Sequence, residues 1–201
     1  MTEYQKPAKW HRTELIVKHS RFITTIAPTA DKPEAQAFIN QIRVEHTSAS
    51  HNCWAQVAGC PADIQTKGCS DDGEPKGTAG RPMLGLLEHS GIGDITAVVT
   101  RYFGGTKLGT GGLVRAYSQA LRECLDSLPL EIVIPMQALQ LRAGFEMTGQ
   151  LEHLIDQFSL HVHERIWQDK LIVNADIEQT LLPAFELALQ PYRSITFSRC
   201  E

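Results

Sequence analysis

The stretch RYFGGTKLGTGGLVRAY, residues 101–117, decides the fold, because an apolar strand pattern passes there through glycines into a helical pattern. A second unusual stretch, the acidic loop SDDGEPKGTAG at residues 70–80, precedes it. The segment from Gly68 to Tyr117 includes both and holds 12 of the 15 glycines of the chain. Glycine tolerates positive φ angles and close approach of other groups, so we expect the function to be concentrated in this segment.

Strand patterns lie on the N-terminal side of this stretch and lead into it. Residues 15–26 are rich in β-branched side chains around a polar break, and they predict two short paired strands. Residues 53–58 predict a third strand and residues 95–103 a fourth, with a polar loop between about residues 59 and 80. We therefore expect a sheet whose last strand ends at the glycine-rich stretch.

Helix patterns separate and follow these strands. Asp31 has the spacing of an N-cap residue three positions before Glu34, and an apolar stripe follows it. A short helix is predicted from Pro82 to Gly91. The helix after the glycines carries one apolar stripe and should end before Pro129; its members are Leu113, Tyr117, Ala120, Leu121 and Cys124. These stripes predict helices that pack on the sheet.

The last 70 residues have a different pattern. After a boundary near residues 130–135, strand and helix patterns follow in the order β-α-β-β-α-β, which is typical of a ferredoxin-like sandwich. We therefore predict two domains, residues 1–132 and residues 133–201.

Composition and charge exclude several classes of protein. The chain has 201 residues, 42% of them hydrophobic and 21% charged, which is ordinary for a globular protein. It lacks an 18-residue apolar run and an apolar signal segment near its start, so we expect a cytoplasmic protein with no membrane partner. Its five cysteines form no CxxC pair, which favours free thiols over a disulfide framework or a zinc knuckle.

The net charge of −4 is unevenly distributed along the chain. Residues 1–130 have 14 Lys and Arg against 13 Asp and Glu, a balance of +1, whereas residues 131–201 have 5 against 10, a balance of −5. A domain that binds nucleic acid through bulk charge is usually strongly basic. Any site for an anion must therefore be local.

The glycine-rich stretch predicts such a local site. Glycines that open a helix present free N–H groups and the positive end of the helix dipole, which favour phosphate. Its spacing matches neither a P-loop nor a dinucleotide-binding motif. The predicted phosphate-binding residues are Arg101, Tyr102, Gly104, Gly105, Lys107, Gly109, Gly111, Gly112 and Arg115, with Tyr102 as a surface on which a base can stack. The alternative is that the glycines serve a tight crossing from strand to helix.

The acidic loop leaves two interpretations open. Asp71, Asp72 and Glu74 could hold Mg²⁺ beside a bound phosphate, because Mg²⁺ prefers hard oxygen ligands. Asp-Gly and Glu-Pro are also ordinary turn sequences. We favour the turn and predict no cofactor and no metal site.

Nucleophilic catalysis has only a weak signal. His51 and Cys53 lie two residues apart on a predicted strand and would face the same side, so a Cys/His pair is conceivable. A buried cysteine beside a polar histidine is the commoner arrangement. We predict no catalytic residue.

Three motifs together resemble those of the IMPACT/YigZ family. They are HNCWA at residues 51–55, DDGEPKGTAG at residues 71–80 with the following Pro82, and RYFGGTKLGTGGLVRAY, in that order. The resemblance covers the whole chain; Trp54 stands where tyrosine is equally expected. It implies an α+β protein with an N-terminal two-layer α/β domain of the ribosomal protein S5 domain 2-like type. It also implies a C-terminal ferredoxin-like domain similar to the C-terminal domain of elongation factor G.

The same resemblance indicates where and how the protein acts. The family's loop motif maps onto Asp72, Gly73, Glu74, Pro75, Gly77, Thr78, Ala79 and Gly80. Both structural relatives contact RNA on the ribosome, and eukaryotic IMPACT is associated with regulating translation initiation. That regulation uses a partner of an additional N-terminal RWD domain, which we do not expect in this chain. The family supplies no catalytic residues.

Three functions remain open at this point. The first is a cytoplasmic RNA- or ribosome-binding protein in translation or its regulation, with a translation-related protein partner. The second is a Mg²⁺-dependent enzyme acting on a phosphorylated small molecule. The third is a protein-interaction module, which should expose more apolar groups than these two stretches suggest. We expect a binding protein rather than an enzyme, and the sequence leaves the oligomeric state open.

Overall fold

A computed structural model describes residues 3–63 and 65–200, and within them eleven strands, five α-helices and one short 3-10 helix. The outermost residues of the two predicted domains, Met1 and Glu201, lie outside the described part. The structure divides into two compact units, one over Tyr4–Val133 and one from Ile134 onward with Glu3. The chain changes unit next to the predicted boundary at residues 132 and 133, and the domain types remain predictions.

The first unit contains an antiparallel sheet of five strands. Its elements in chain order are β1 Tyr4–Pro7, β2 His11–Val17, β3 Ser20–Pro28, α1 Lys32–Glu45, β4 His51–Val57, β5 Lys67–Ser70, α2 Gly80–Ser90, β6 Ile95–Tyr102, α3 Thr110–Asp126 and β7 Leu130–Val133. The strand order in the sheet is β2-β3-β6-β4-β5. Strands β1 and β7 form a separate antiparallel ribbon. Strand β6, which leads into the glycines, is therefore the central strand.

Helices cover both faces of this sheet. Alternate residues of β6 belong to different cores: Ala97 and Val99 pack with α2 and α3, whereas Val98 packs with α1. Successive strand residues point to opposite faces, so α1 lies on one face and α2 and α3 lie on the other. The resemblance implied two layers, whereas this unit has three: α1, the sheet, and the pair α2 and α3. The cause is visible in β6, whose first seven residues are all buried, as in strands covered on both sides.

The predicted strands and helices of this unit are present. The Asp31 carboxylate caps α1 by accepting a hydrogen bond from the backbone N–H of Glu34 at 2.8 Å, and the stripe predicted on α3 is buried. Gly91 ends α2 in the left-handed conformation, with φ of 69°. The sequence patterns did not predict β1, β5 and β7, each of which has four residues. Such short edge strands depend on distant pairing partners more than on their own residues.

The second unit also contains one antiparallel sheet. Its elements are β8 Met136–Ala143, the 3-10 helix Phe145–Met147, α4 Thr148–Gln157, β9 His161–Trp167, β10 Leu171–Glu178, α5 Leu182–Leu189 and β11 Ile195–Arg199. The sheet order is β11-β8-β10-β9. The inward residues of β8 and β10 share one core with both α-helices. The predicted order of two helices among four strands is confirmed.

Two general features concern the helices and the cysteines. In the described ranges, no helix combines the length and apolar character needed to cross a bilayer. All five cysteines are unpaired, with Cys53 and Cys124 buried.

Candidate functional site

The two motif stretches meet at one cleft of about 500 Å³ in the first unit. The acidic loop contributes Glu74 and Pro75 to its lining. The remaining lining residues are Ser50, His51, Arg101, Phe103, Lys107, Leu108, Gly109, Thr110 and Leu113. Helix α2 and strand β6 connect the two stretches along the chain, and β6 brings the second stretch back beside the first.

Glycines allow the chain to pass from β6 into α3. A Cβ atom on Gly104 would overlap the backbone carbonyl of His19 in the β2–β3 turn, so only glycine fits there. Gly105 and Gly109 have φ angles of 84° and 72°, in the left-handed region. Part of the glycine pattern therefore serves the tight crossing, as the structural alternative proposed.

The start of α3 forms a positive rim on the cleft. The N-cap is Gly109, which has no side chain to cap the helix, and the first intrahelical bond joins Leu113 N–H to its carbonyl at 2.9 Å. The N–H groups of residues 110–112 consequently have no partner in the described ranges. Lys107 is exposed at the same rim and forms no ion pair with a described residue. This rim can attract an anion.

The acidic loop is organised by Asp71. Its carboxylate accepts hydrogen bonds from the backbone N–H groups of Gly77, Ala79 and Gly80 at 2.7, 3.0 and 2.8 Å. Burial alone would raise the pKa of Asp71, but the three N–H donors lower it below its ordinary value. Asp71 therefore holds the loop in shape as a carboxylate.

Replacing Asp71 by asparagine is expected to lower the free energy of unfolding by about 2 kcal/mol at neutral pH, because charge-assisted bonds are lost. Since the folded pKa is depressed, the carboxylate's contribution is present above its unfolded pKa and disappears as pH falls through the folded pKa. Urea unfolding of both proteins should show a difference that shrinks below about pH 4. Asp63→Asn is the control, because this exposed carboxylate accepts one backbone bond, from Gln65. An equal effect of both substitutions at every pH would contradict the role of Asp71.

Asp72 is also engaged within the protein. Its carboxylate accepts a bond from the backbone N–H of Asn52 at 2.7 Å and pairs with Arg43 at 2.8 Å. No group of three His, Cys, Asp or Glu side chains able to hold a metal ion occurs in the described ranges. The acidic loop thus gives the Mg²⁺ alternative no support from its geometry.

A buried ion pair forms the floor of the cleft. Arg101 Nη1 donates to Glu74 Oε1 at 2.6 Å, and the Tyr117 hydroxyl donates to the same oxygen at 2.8 Å. Glu74 is 8% exposed and Arg101 is 6% exposed. Burial, together with neighbouring Cys53 and Glu74, raises the pKa of Tyr117 far above its ordinary value. The charge of Arg101 is therefore balanced inside the protein, and its buried Nε has no partner among the described residues.

His51 and Cys53 are both hydrogen-bonded to the acidic loop. His51 Nδ1 donates to the Asp72 carbonyl oxygen at 2.9 Å, and its Nε2 lies 3.8 Å from Glu74 Oε2. The Cys53 thiol donates to the Asp71 carbonyl oxygen at 2.9 Å. Burial raises the pKa of Cys53 to about 12, which opposes formation of a thiolate. Both residues fasten the acidic loop to β4.

The aromatic residue in the cleft is Phe103 rather than Tyr102. The Tyr102 hydroxyl is hydrogen-bonded to His46 Nδ1 at 2.9 Å, and the Arg21 guanidinium lies over its ring at 5.3 Å. Phe103 lines the cleft, is 49% exposed, and contacts the Arg101 guanidinium with its ring. The sequence analysis placed Phe103 inside the predicted strand at residues 95–103, where an aromatic side chain is usually part of the core, whereas the strand ends at Tyr102.

The other predicted site residues lie around the cleft without lining it. Arg115 is exposed on α3, and its Nη1 lies 3.9 Å from the position of a Cβ on Gly111. Thr78 is buried and donates to the Pro75 carbonyl oxygen at 2.7 Å. The remaining glycines either have a positive φ angle or lie close to another part of the chain; they are Gly73, Gly77, Gly80, Gly104, Gly105 and Gly112. The structure thus brings Glu74, Pro75, Arg101, Lys107 and Gly109 together from the predicted sets.

The chain is similar in sequence and in structure to known proteins over most of its length. Residues 18–125 match the family model of the Impact N-terminal domain. The chain is 39% identical over 189 residues to an IMPACT family member of Haemophilus influenzae, and the alignment covers 94% of this chain and 92% of that protein. It is 42% identical over 188 residues to the IMPACT family member YigZ of Escherichia coli, covering 91% and 87%. A crystal structure of a hypothetical protein, 37% identical, superimposes with a TM-score of 0.74 over 100% of this chain and 98% of the other.

Proposed function

The chain belongs to the IMPACT family, and from this premise we propose that it binds RNA, free or in the ribosome, and acts in translation or its regulation. The observation that carries the proposal is the composition of the cleft. A positive rim of free N–H groups and Lys107 borders an apolar interior with a half-exposed phenylalanine. These two parts match the phosphate and the base of one nucleotide.

The phosphate is held at the rim. Lys107 supplies the positive charge, and residues 110–112 supply backbone donors at the positive end of α3. Arg101 cannot supply net charge, because Glu74 neutralises it. Phosphate contacts of this kind position an RNA without reading its sequence.

The base is held inside the cleft. Phe103 offers a ring face for stacking, and Pro75, Leu108 and Leu113 supply the surrounding apolar surface. His51 also lines the cleft, where its ring can form a hydrogen bond with the edge of a base. Recognition of RNA commonly uses unstacked bases on aromatic side chains.

The two units are proposed to be the domains implied by the family. We assign the first unit to the ribosomal protein S5 domain 2-like type, and the second, with its sheet order β11-β8-β10-β9, to the ferredoxin-like type. The exposed face of the second sheet carries the polar chain Arg142, Gln140, Asn174 and Glu164, linked by hydrogen bonds. The balance of −5 over residues 131–201 comes from this unit apart from Glu131, so the unit is suited to a protein partner in the translation machinery rather than to RNA.

A protein-interaction module is the second candidate. Phe103 and Leu108 give the cleft more apolar surface than the sequence suggested, so a partner's apolar side chain could also enter it. Competition separates the two: a free nucleoside monophosphate should displace RNA from the cleft, whereas it should leave a protein partner's main contacts intact.

Replacing Lys107 by alanine should weaken binding of single-stranded RNA of any sequence and reduce the salt slope of log K by about 0.7, the contribution of one phosphate contact. The measurement is fluorescence anisotropy with several RNA sequences across a salt series. Lys32→Ala, an exposed lysine at the start of α1, is the matched control and should leave the slope unchanged. An unchanged slope for the Lys107 variant would remove this side chain from the site.

A further inference from the structure

Two shallow grooves continue the cleft along the first unit. The first shares Leu108 with the cleft and reaches the β2–β3 turn at Lys18. The second shares Arg115 and Gln119 with the first and extends to Arg122. Shared lining residues make the three depressions neighbours, so a single extended ligand can reach all of them.

The grooves carry positive charge that the protein does not neutralise. Lys18, Arg115 and Arg122 are exposed, and none of them pairs with a carboxylate in the described part of the chain. The lining of both grooves contains no acidic residue. The neighbouring carboxylate of Glu123 lies outside both linings and accepts a bond from Gln119. Elsewhere in this unit, cations such as Arg12 and Arg43 are paired with carboxylates.

The positions of these cations on α3 define a direction. Arg115, Gln119 and Arg122 have spacings of four and three residues, which place them on one face of the helix. The Arg115 guanidinium turns back toward the first turn of α3, close to Gly111, and so connects the rim of the cleft with the grooves. From Thr110 to Arg122 the helix rises by about 18 Å. This length is enough for several phosphates of one strand, since in a stacked duplex they follow one another about every 3.4 Å along the axis.

We propose that the RNA bound by this protein is a single strand of several nucleotides, whose backbone leaves the cleft and follows α3 over Lys18, Arg115 and Arg122, here called the cationic track. The inference rests on the proposed function, because the cleft holds one base of the same strand. A single strand fits because a base can enter the cleft only when it is unstacked, which a regular duplex does not allow.

The test compares oligouridylates of two and seven nucleotides, with 5′ phosphates, and a seven-base-pair RNA duplex. Fluorescence anisotropy and competition are measured across a salt series for three proteins. They are wild type, the track variant Lys18→Ala/Arg115→Ala/Arg122→Ala, and the control Lys9→Ala/Lys32→Ala/Arg81→Ala, which removes three exposed cations elsewhere in the first unit. Circular dichroism spectra verify that both variants are folded.

Wild type should bind the heptamer more tightly than the dinucleotide and more tightly than the duplex. The track variant should lose more affinity for the heptamer than for the dinucleotide, while its salt slope for the heptamer falls by about 2, three contacts of about 0.7 each. Equal heptamer affinity and salt slope in the track variant and the control would contradict the proposal that RNA follows the cationic track. Wild-type protein that bound the duplex as tightly as the heptamer, or more tightly, would contradict it too. If wild type bound neither oligonucleotide at low salt, the proposed function itself would fail.

Discussion

Replacing Arg101 by methionine is expected to lower the free energy of unfolding by about 3–5 kcal/mol, because it leaves the Glu74 carboxylate buried without its ionic partner. Arg101 and Glu74 are both nearly inaccessible, and their contact at 2.6 Å connects the central strand to the acidic loop. Tyr117 remains as a single neutral donor to the same oxygen. Urea unfolding followed by circular dichroism measures the effect.

Two further variants separate the lost pairing from the loss of a side chain. Arg21→Met removes an exposed ion pair with Glu14 on the neighbouring strands, and it should cost less than about 1 kcal/mol. The double variant Arg101→Met/Glu74→Gln should recover much of the loss, since a neutral amide is easier to bury than an unpaired carboxylate. If Arg101→Met were no more destabilising than Arg21→Met, the buried pair would not be holding the loop on the sheet.

Replacing Phe103 by alanine should weaken RNA binding by about 1–3 kcal/mol, which is about fivefold to about 150-fold, because one stacking surface is lost. The unfolding free energy should change little, since half of the Phe103 surface is already exposed. The measurement is anisotropy with a labelled single strand at fixed salt. The matched control is Phe145→Ala in the second unit, where the phenylalanine is 50% exposed, and it should leave binding unchanged.

The opposite pattern would restore the interpretation drawn from sequence. If Tyr102→Ala weakened binding and Phe103→Ala did not, the base would be stacking on Tyr102, whose hydroxyl is hydrogen-bonded to His46.

Local patterns were sufficient for much of the fold. The helix start at Asp31 and the stripe on α3 depend on neighbouring residues, and the structure confirms both. The ribbon of β1 and β7 could not be predicted in this way, because it pairs residues such as Gln5 and Ile132 from opposite ends of the first unit. Strand β5 lies in a stretch whose composition indicates a loop, and its pairing with β4 decides its conformation.

The sequence indicated which stretches form the candidate site, but it did not indicate the roles of the individual residues. The glycines and the acidic residues marked both stretches that line the cleft. The partnership of Arg101 with Glu74 joins residues 27 positions apart and depends on the register of β4 with β6. By residue type alone, Asp71 was a candidate metal ligand. Only the three-dimensional structure shows that its carboxylate accepts hydrogen bonds from backbone N–H groups. The choice between Tyr102 and Phe103 likewise required knowing which way the chain leaves the sheet.

Photocrosslinking of bound RNA, mapped by mass spectrometry of the protease digest, tests the central claim most directly. A single-stranded RNA with photoreactive uridines is irradiated on wild type and on the Phe103→Ala/Lys107→Ala variant. The account predicts crosslinks within residues 101–117 in wild type, including Phe103, which lines the cleft, and their loss in the variant. Crosslinks confined to residues after 134, or an unchanged pattern in the variant, would contradict RNA binding at the cleft.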